Sequence, residues 1–430
     1  MVIKMEILVI GSGGREHAII VALKKSSRVT KIHATPGNGG IGAIADCHNV
    51  KARDIPGIVA LAKELKPDWV FVAPDDPLVL GAVDALNDAG FKTFGPRKNA
   101  AILEGSKTFS KDFMKRRKIP TADYMAFTDS EKAIDYIKRK NTYPAVIKCD
   151  GLALGKGVII AQCEREAVEA VQSMMINGKF GESGKQIVIE EFLEGAEVTV
   201  LAFTDGKTIV TMPASTDHKR AYNDDKGLNT GGMGVVAPVP YYTEEIADEC
   251  MEKIFMPTVK GMADEGKVFK GCIYFGLIIT PDCGAKVIEY NCRFGDPETQ
   301  AVLPLLKTDL LDIIEAIWDE RLAGINVEFS GKKSACIVMA SGGYPEKYSS
   351  GYPIKGLDTV NDDNVNVYHA GTKAENGELV TAGGRVIAVT ATADTLQAAL
   401  DTAYSAVKKI NFKDAHYRTD IGKKAIDCSE

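Results

Sequence analysis

Short apolar runs punctuated by glycine dominate the first hundred positions. Met5–Ile10 is one such run, closed by Gly11-Ser12-Gly13-Gly14, and a helical stretch follows from Arg15 to about Lys25. Further runs stand at Lys31–Ala34, Asp68–Ala73 and Lys92–Gly95, with helical sequence near Leu78–Ala89. Short continuous apolar runs suit strands buried on both faces. Their alternation with helices predicts a doubly wound parallel sheet, so residues 1–103 read as one α/β domain.

The pattern changes after Gly105. A basic helix at Lys107–Lys118 leads through Pro120 to strand-like runs at Ala145–Lys148 and Val158–Ala161, which flank a glycine-rich turn. A helix near Arg165–Met175 and a strand at Ile187–Glu191 complete a small α+β unit at about 124–192. Strand-rich sequence continues from about 196 to 330, interrupted by the glycine-dense Gly227–Gly234 and a helix at Thr243–Glu265. Residues 104–330 thus form a second domain. Runs at Ser334–Ala340, Val365–Gly371 and Arg385–Thr392, with a helix at Thr395–Ile410, predict a C-terminal α+β domain at 331–430.

Composition narrows the function classes. The chain has 52 basic and 58 acidic residues, a net charge of -6, so no bulk positive field exists to hold nucleic acid or an anionic membrane. Anionic ligands must be captured locally, by loops and single basic side chains. The N-terminal stretch runs straight into a strand without a small-residue cleavage site, so a signal peptide is not expected. No apolar run approaches the roughly 20 residues of a membrane span. The nine cysteines lack zinc-site spacing and read as small buried hydrophobes in a reducing compartment. These features predict a soluble, cytoplasmic protein.

Three stretches carry candidate chemistry. In the first, Gly11-x-Gly13 precedes a helix, as in a dinucleotide fingerprint, but the third glycine position holds Glu16. The second strand also ends His33-Ala34-Thr35-Pro36, without the acidic residue that binds ribose. A nicotinamide cofactor is therefore disfavoured. Backbone N–H groups at Gly13 and Gly14, with Arg15 beside them, still suit a phosphate or carboxylate. The second stretch ends a strand in Lys148 and continues Gly151 to Gly155-Lys156-Gly157. It lacks the hydroxyl of a Walker loop, yet glycine N–H groups and two lysines supply a phosphate clamp. Downstream, Glu190-Glu191-Phe192-Leu193 ends a strand in carboxylates and an apolar pair, suited to ribose hydroxyls and an adenine edge.

The third stretch runs from Lys286 to Gln300. Side chains alternate along a strand, so Glu289, Asn291 and Arg293 are expected on one face and Ile288, Tyr290 and Cys292 on the other. A carboxylate and an amide oxygen two residues apart suit Mg²⁺, and Arg293 is placed to fix an anion. Gly295-Asp296-Pro297 ends the strand.

These segments together resemble the phosphoribosylamine–glycine ligase family of ATP-grasp enzymes. The matching stretches are GSGGREHA (11–18), TPGNGG (35–40), GPRKNAAILEGSKTFSK (95–111), IKCDGLALGKGV (147–158) and IEEFLEGAEV (189–198). STDHKRAYNDDKGLNTGGMG (215–234) and EYNCRFGDPETQ (289–300) follow in the same order. The resemblance implies an N-terminal α/β domain, a central ATP-grasp domain with a mobile lid at about 124–192, and a C-terminal α+β domain. It implies that Lys107 and Lys148 bind ATP phosphates, that Gly155, Lys156 and Gly157 form a phosphate loop, and that Glu190 to Leu193 hold adenine. Glu197 is implied as a ribose contact, with Glu289 and Asn291 as ligands of Mg²⁺ or Mn²⁺. Asp217, Lys219 and Arg293 are implied as catalytic. With Gly13, Gly14, Arg15, Gly295 and Asp296, they are also implied to gather glycine and 5-phosphoribosylamine. His218 is expected to pack or hydrogen-bond rather than act as a base. The expected protein is a monomer or weak homo-oligomer. Another ATP-grasp carboxylate–amine ligase, or a nucleotide sensor without catalysis, remains an alternative on sequence.

Overall fold

The computed structural model describes residues 4–152, 157–281 and 284–427. Met5–Gly11 is the central strand of a five-stranded parallel sheet, flanked by Val29–Pro36 and Asp46–Cys47 on one side and by Trp69–Val72 and Lys92–Phe94 on the other. Alternate residues of these strands enter different cores. Leu8, Ile10, Val70 and Val72 join one apolar cluster, while Ile7, Val9, Trp69 and Phe71 join another. The helix Gly14–Leu23 packs in the second cluster and Ile55–Leu65 in the first, so helices cover both faces and the sheet is doubly wound. The Ile55–Leu65 helix and the short strand Asp46–Cys47 escaped the hydrophobic pattern. The expected helix over 78–89 is two helices, Asp75–Leu80 and Ala82–Asp88, broken where Gly81 adopts φ +94°.

The unit at 124–191 is an antiparallel sheet in the order Tyr124–Phe127, Ile187–Glu191, Ala145–Cys149, Val158–Ala161. With the helices Ser130–Lys140 and Glu164–Val171 it encloses its own apolar cluster, which includes Ile137, Ile147, Val171 and Ile187. The other two clusters run continuously through the remainder of the chain.

Below that unit lies a second antiparallel sheet, ordered Ile209–Thr211, Ala196–Thr204, Gly271–Thr280, Gly284–Asn291. The third large sheet draws Lys333–Ala340, Arg385–Ala393 and Val365–His369 from the C-terminal region, together with Thr216–Asp217 and Gly234–Ala237 from before residue 330. The DHKR segment is thereby tied to the C-terminal sheet. The expected helix over 243–265 includes a π-helical turn at Met251–Phe255 ahead of Pro257. The glycine-dense segment contributes a strand, Lys226–Asn229, which pairs with Arg220–Tyr222 as a hairpin.

Candidate functional site

A cleft of about 1470 Å³ runs between the 124–191 unit and the two antiparallel sheets. That exceeds the roughly 300–1,000 Å³ of a single drug-sized ligand site and accommodates several substrates together. Its walls gather residues from every part of the chain.

One end of the cleft is built around two lysines. Ser106 caps the helix Lys107–Arg117, and Asp150 accepts from the Thr108 N–H at 2.6 Å. This brings Lys107 against the glycine turn, where its Nζ donates to the Gly151 carbonyl at 3.2 Å. Lys148, buried at the end of its strand, donates to Glu190 Oε2 and to the Ile288 carbonyl, each at 3.1 Å. Phe192 and Leu193 line the cleft beside Met114, Val146, Ile160 and Ile278, an apolar slot of the kind a flat base requires. Gly157 lines the same wall, whereas Gly155 and Lys156 lie outside the described residues.

Glu289 and Asn291 occupy the cleft side of the Gly284–Asn291 strand, and Arg293 follows them into the cleft. The simple alternation expected for this strand does not hold throughout. Its pairing shifts register between Gly276 and Leu277, opposite Glu289 and Val287. Ala285 and Val287 are core residues before the shift, Tyr290 and Cys292 after it. Ile288 therefore lines the cleft with Glu289 rather than joining Tyr290 and Cys292 in the core. Burial pushes the Glu289 carboxyl up, but Lys219, Lys148, Lys107 and Arg293 together hold it below its ordinary range. Glu289 is thus ionised, and Asn291 offers an amide oxygen two residues away. That hard oxygen set fits Mg²⁺, which takes its remaining ligands from phosphates and water.

Arg293 is fixed from behind. Its Nη2 donates to Glu104 Oε1 at 3.0 Å and approaches Asn291 Oδ1 at 3.4 Å, with Asp75 at 3.9 Å. Glu104 Oε2 accepts from the Cys292 N–H at 2.8 Å and the Cys292 thiol at 3.0 Å. The buried Nε of Arg293 has no hydrogen-bond partner among the described residues.

Lys219 stands 3.5 Å from Glu197 and 3.7 Å from Glu289; Glu197 and Glu289 hold its pKa well above the usual value. Asp217 lies beside Glu298. Burial and Glu298 raise Asp217 well above the carboxylate range, and burial likewise raises Glu298, so this pair retains a proton more readily than isolated acids. Arg385 reaches in from the C-terminal sheet. It donates to the Gly231 carbonyl at 2.6 Å and pairs with Asp296 at 3.2 Å.

The first glycine loop takes a different form from an open anion site. Glu16 folds back so that its Oε2 accepts from the Gly13 N–H at 2.5 Å, and its Oε1 pairs with Arg15 Nε. A Cβ on Gly14 would stand 2.5 Å from Gln300 Nε2, so a larger residue there would displace the Gln300 amide that donates to Asp296 Oδ1. Arg15 and Asp296 line the cleft, whereas Gly13, Gly14 and Gly295 are not among its lining residues. His218 is fully engaged: Nδ1 faces the Gly234 carbonyl at 3.2 Å and Nε2 accepts from the Gly422 N–H at 3.1 Å. Burial lowers its pKa to about 4, which leaves no free base.

Glu104, Lys111, Asp75, Glu298 and Arg385 line the cleft but were not singled out by sequence. Glu104 and Lys111 lie inside the 95–111 motif, and Glu298 inside 289–300, so a local signal existed for those three.

A small antiparallel unit set over an antiparallel sheet, with Lys148 from one, Lys107 from the helix beside it and a carboxylate–amide pair from the other, defines the ATP-grasp class. Models of the N, ATP-grasp (A) and C domains of phosphoribosylglycinamide synthetase match residues 5–104, 105–299 and 334–424. The chain belongs to the phosphoribosylglycinamide synthetase family. It is 46% identical to phosphoribosylamine–glycine ligase of Caldanaerobacter subterraneus, over 97% of this chain and 99% of that one. The Clostridium acetobutylicum enzyme of the same name is 45% identical over 97% of this chain and 100% of its own length. The crystal structure of phosphoribosylamine–glycine ligase from Thermotoga maritima superposes with a TM-score of 0.83 at 31% identity, covering 96% and 99% of the two chains. Biotin carboxylase from Campylobacter jejuni, at 15% identity and a TM-score of 0.74 over 96% of this chain and 93% of its own, shares the fold.

Proposed function

We propose that this chain joins glycine to 5-phosphoribosylamine at the expense of ATP, forming glycinamide ribonucleotide, ADP and phosphate in purine biosynthesis. The observation that carries the reading is the meeting of Lys107, Lys148, Lys219 and Arg293 around the Glu289–Asn291 pair in one cleft. Four cations around an ionised carboxylate suit a triphosphate, a bound Mg²⁺ and a second anion at once.

Adenine occupies the slot of Phe192 and Leu193, with Glu190 and Glu191 at its edge and ribose beside Glu197. Lys107, Lys148 and the 155–157 loop neutralise the phosphates. Glu289 and Asn291 would hold Mg²⁺ (or Mn²⁺), which when bound would neutralise phosphate charge. The glycine carboxylate attacks the γ-phosphorus in line, releasing ADP and leaving glycyl phosphate. The amine of phosphoribosylamine then attacks the acyl carbon, phosphate departs, and the amide forms. Arg293, which lines the cleft and is held from behind by Glu104, fixes the carboxylate. Asp217, Lys219, Arg15 and Asp296, which line the cleft beyond Arg293, gather glycine and phosphoribosylamine between them, and Gly13, Gly14 and Gly295 shape the turns that carry Arg15 and Asp296. No protein nucleophile is required: positioning and charge neutralisation carry both steps.

The separate apolar cluster of the 124–191 unit supports its acting as a lid, since it can tilt without opening another core. Closure excludes water from the acyl phosphate. The organisation that suits this cycle is an N-terminal domain at 1–103, an ATP-grasp domain at 104–330 and a C-terminal domain at 331–430. The protein works in the cytoplasm as a monomer or weak homo-oligomer on small molecules alone. No helix among the described residues is long and apolar enough to cross a membrane.

The test is ADP release with ATP, Mg²⁺, glycine and freshly generated phosphoribosylamine, omitting one component at a time. Release that requires both acceptors, with glycinamide ribonucleotide identified by mass, is the expected result. ADP formed equally well without glycine would refute the named substrates, and none formed despite ATP binding would favour a nucleotide sensor.

A further inference from the structure

Lys111 lies one helical turn beyond Lys107 and is 2% exposed. Its Nζ is 2.9 Å from Glu190 Oε2, the same oxygen that accepts from Lys148 at 3.1 Å. It also donates to Thr121 Oγ1 at 2.8 Å, and Thr121 in turn donates to the Val287 carbonyl at 2.7 Å. Glu190 Oε1 has no partner among the described residues. One carboxylate oxygen is therefore shared by two buried ammonium groups, at the point where the 124–191 sheet meets the helix Lys107–Arg117.

Charge arithmetic gives the arrangement a purpose. Lys111, Lys148 and Glu190 together carry one net positive charge. Without Lys111 the sum is zero, and Glu190 is free to turn both oxygens onto Lys148, drawing its ammonium away from the cleft. Other groups facing Lys111 are Lys148, Glu191 and the Tyr124 ring, whose centroid is 5.7 Å away. None of these replaces the missing charge.

We propose that Lys111 is a positioning residue for nucleotide binding: it neutralises Glu190 so that Lys148 keeps its charge and direction for the phosphates of ATP. This rests on the cleft's being the ATP site. Burial, only partly offset by Glu190, lowers the Lys111 pKa to about 8, so the arrangement is also sensitive to pH around that value. As pH rises through that value Lys111 loses its proton, and the cluster reaches the same zero net charge.

The experiment measures the Kd for ATP by calorimetry for the full-length protein and the variants Lys111→Met, Lys111→Arg and Lys111→Met/Glu190→Gln. Loss of one charge-assisted interaction at a phosphate predicts that Lys111→Met weakens ATP binding roughly tenfold. Lys111→Arg is expected to retain most of the affinity. Glu190→Gln alone is measured as the reference for the double variant, because Glu190 also stands at the adenine edge. The double variant restores the single positive charge and is expected to bind ATP nearly as tightly as Glu190→Gln alone. A tenfold loss on adding Lys111→Met to Glu190→Gln, as large as in the native background, would overturn the proposal, because a lysine that touched ATP itself would cost the same in both backgrounds. Should Lys111→Met not fold, the pH arm decides: unaltered Kd for the native protein from pH 7 to 9 would refute it. Failure of the native protein to bind ATP refutes the nucleotide reading instead.

Discussion

Replacing Glu104 by glutamine tests whether Arg293 acts as a pre-aimed cation. Both oxygens of Glu104 are committed: Oε1 accepts from Arg293 Nη2, and Oε2 accepts from the Cys292 N–H and thiol. Glutamine offers one acceptor and one NH₂ donor. Whichever way the amide turns, a donor faces either the guanidinium or the Cys292 N–H. Removing one partner of a buried ion pair costs roughly 3–5 kcal/mol. Arg293 keeps Asp75 at 3.9 Å and the Asn291 contact at 3.4 Å, so the lower end, about 3 kcal/mol, is expected for stability. If Arg293 swings towards Asp75, its alignment with the reacting carboxylate is lost. Two factors of ten in amide formation correspond to about 2.7 kcal/mol, within that range. The assay is coupled ADP release at saturating ATP, with glycinamide ribonucleotide counted by mass, alongside a denaturant titration. Turnover within twofold of the native protein, with an unshifted unfolding midpoint, would refute the claim that Glu104 aims Arg293. Loss of ATP affinity equal to the loss of turnover would instead place Arg293 on the nucleotide.

Glu289→Ala is expected to abolish ADP formation while the circular dichroism spectrum is retained, because Lys219, Lys107 and Lys148 remain but the carboxylate proposed to hold the metal does not; near-native turnover would sink the assignment. Arg293→Ala should reduce amide product more than nucleotide binding, measured by product mass against calorimetry, and a selective loss of ATP affinity would contradict the role proposed. His218→Asn should lose about 1 kcal/mol of stability through its contacts with Gly234 and Gly422, yet keep the native pH–activity profile. A missing ionisation near neutrality in that variant would show that His218 is a base after all. Burial lowers His17 to about 3, below its ordinary value of 6.5, while its Nδ1 accepts from the His369 N–H at 2.8 Å. The unfolded chain therefore binds the extra proton between those values. Stability at this junction is present above pH 6.5 and falls as pH drops below it, with a slope of up to about 1.4 kcal/mol per pH unit. Acid titration of the unfolding midpoint should flatten in His17→Asn, and an identical acid limb would exclude His17 as its source.

Much of the molecule was legible locally because its signals are local. The apolar runs at Met5–Ile10 and Asp68–Ala73 needed no partner to be read as strands, and both lie in the parallel sheet. Glu289, Asn291 and Arg293 reach one cleft as side-chain alternation suggested. The misplacement of Ile288 has a specific cause. Register depends on how Gly284–Asn291 pairs with Gly271–Thr280, and a bulge in that pairing leaves no mark in the strand's own polar pattern. The Gly81 break had a visible residue, but its consequence depended on packing.

The sequence by itself determined the alternation that builds the first domain, the glutamate at position 16 where a dinucleotide fingerprint would have its third glycine, and the residue types and spacing of each motif. These are local properties, which act over a turn or a strand. Tertiary structure alone decided which charges face one another. Arg385 meets Asp296 and the 231–232 turn, Glu104 meets Arg293, and Lys111 shares Glu190 with Lys148. Such pairs join positions distant in the chain, and their energies depend on separation and burial, neither of which exists until the sheets have stacked.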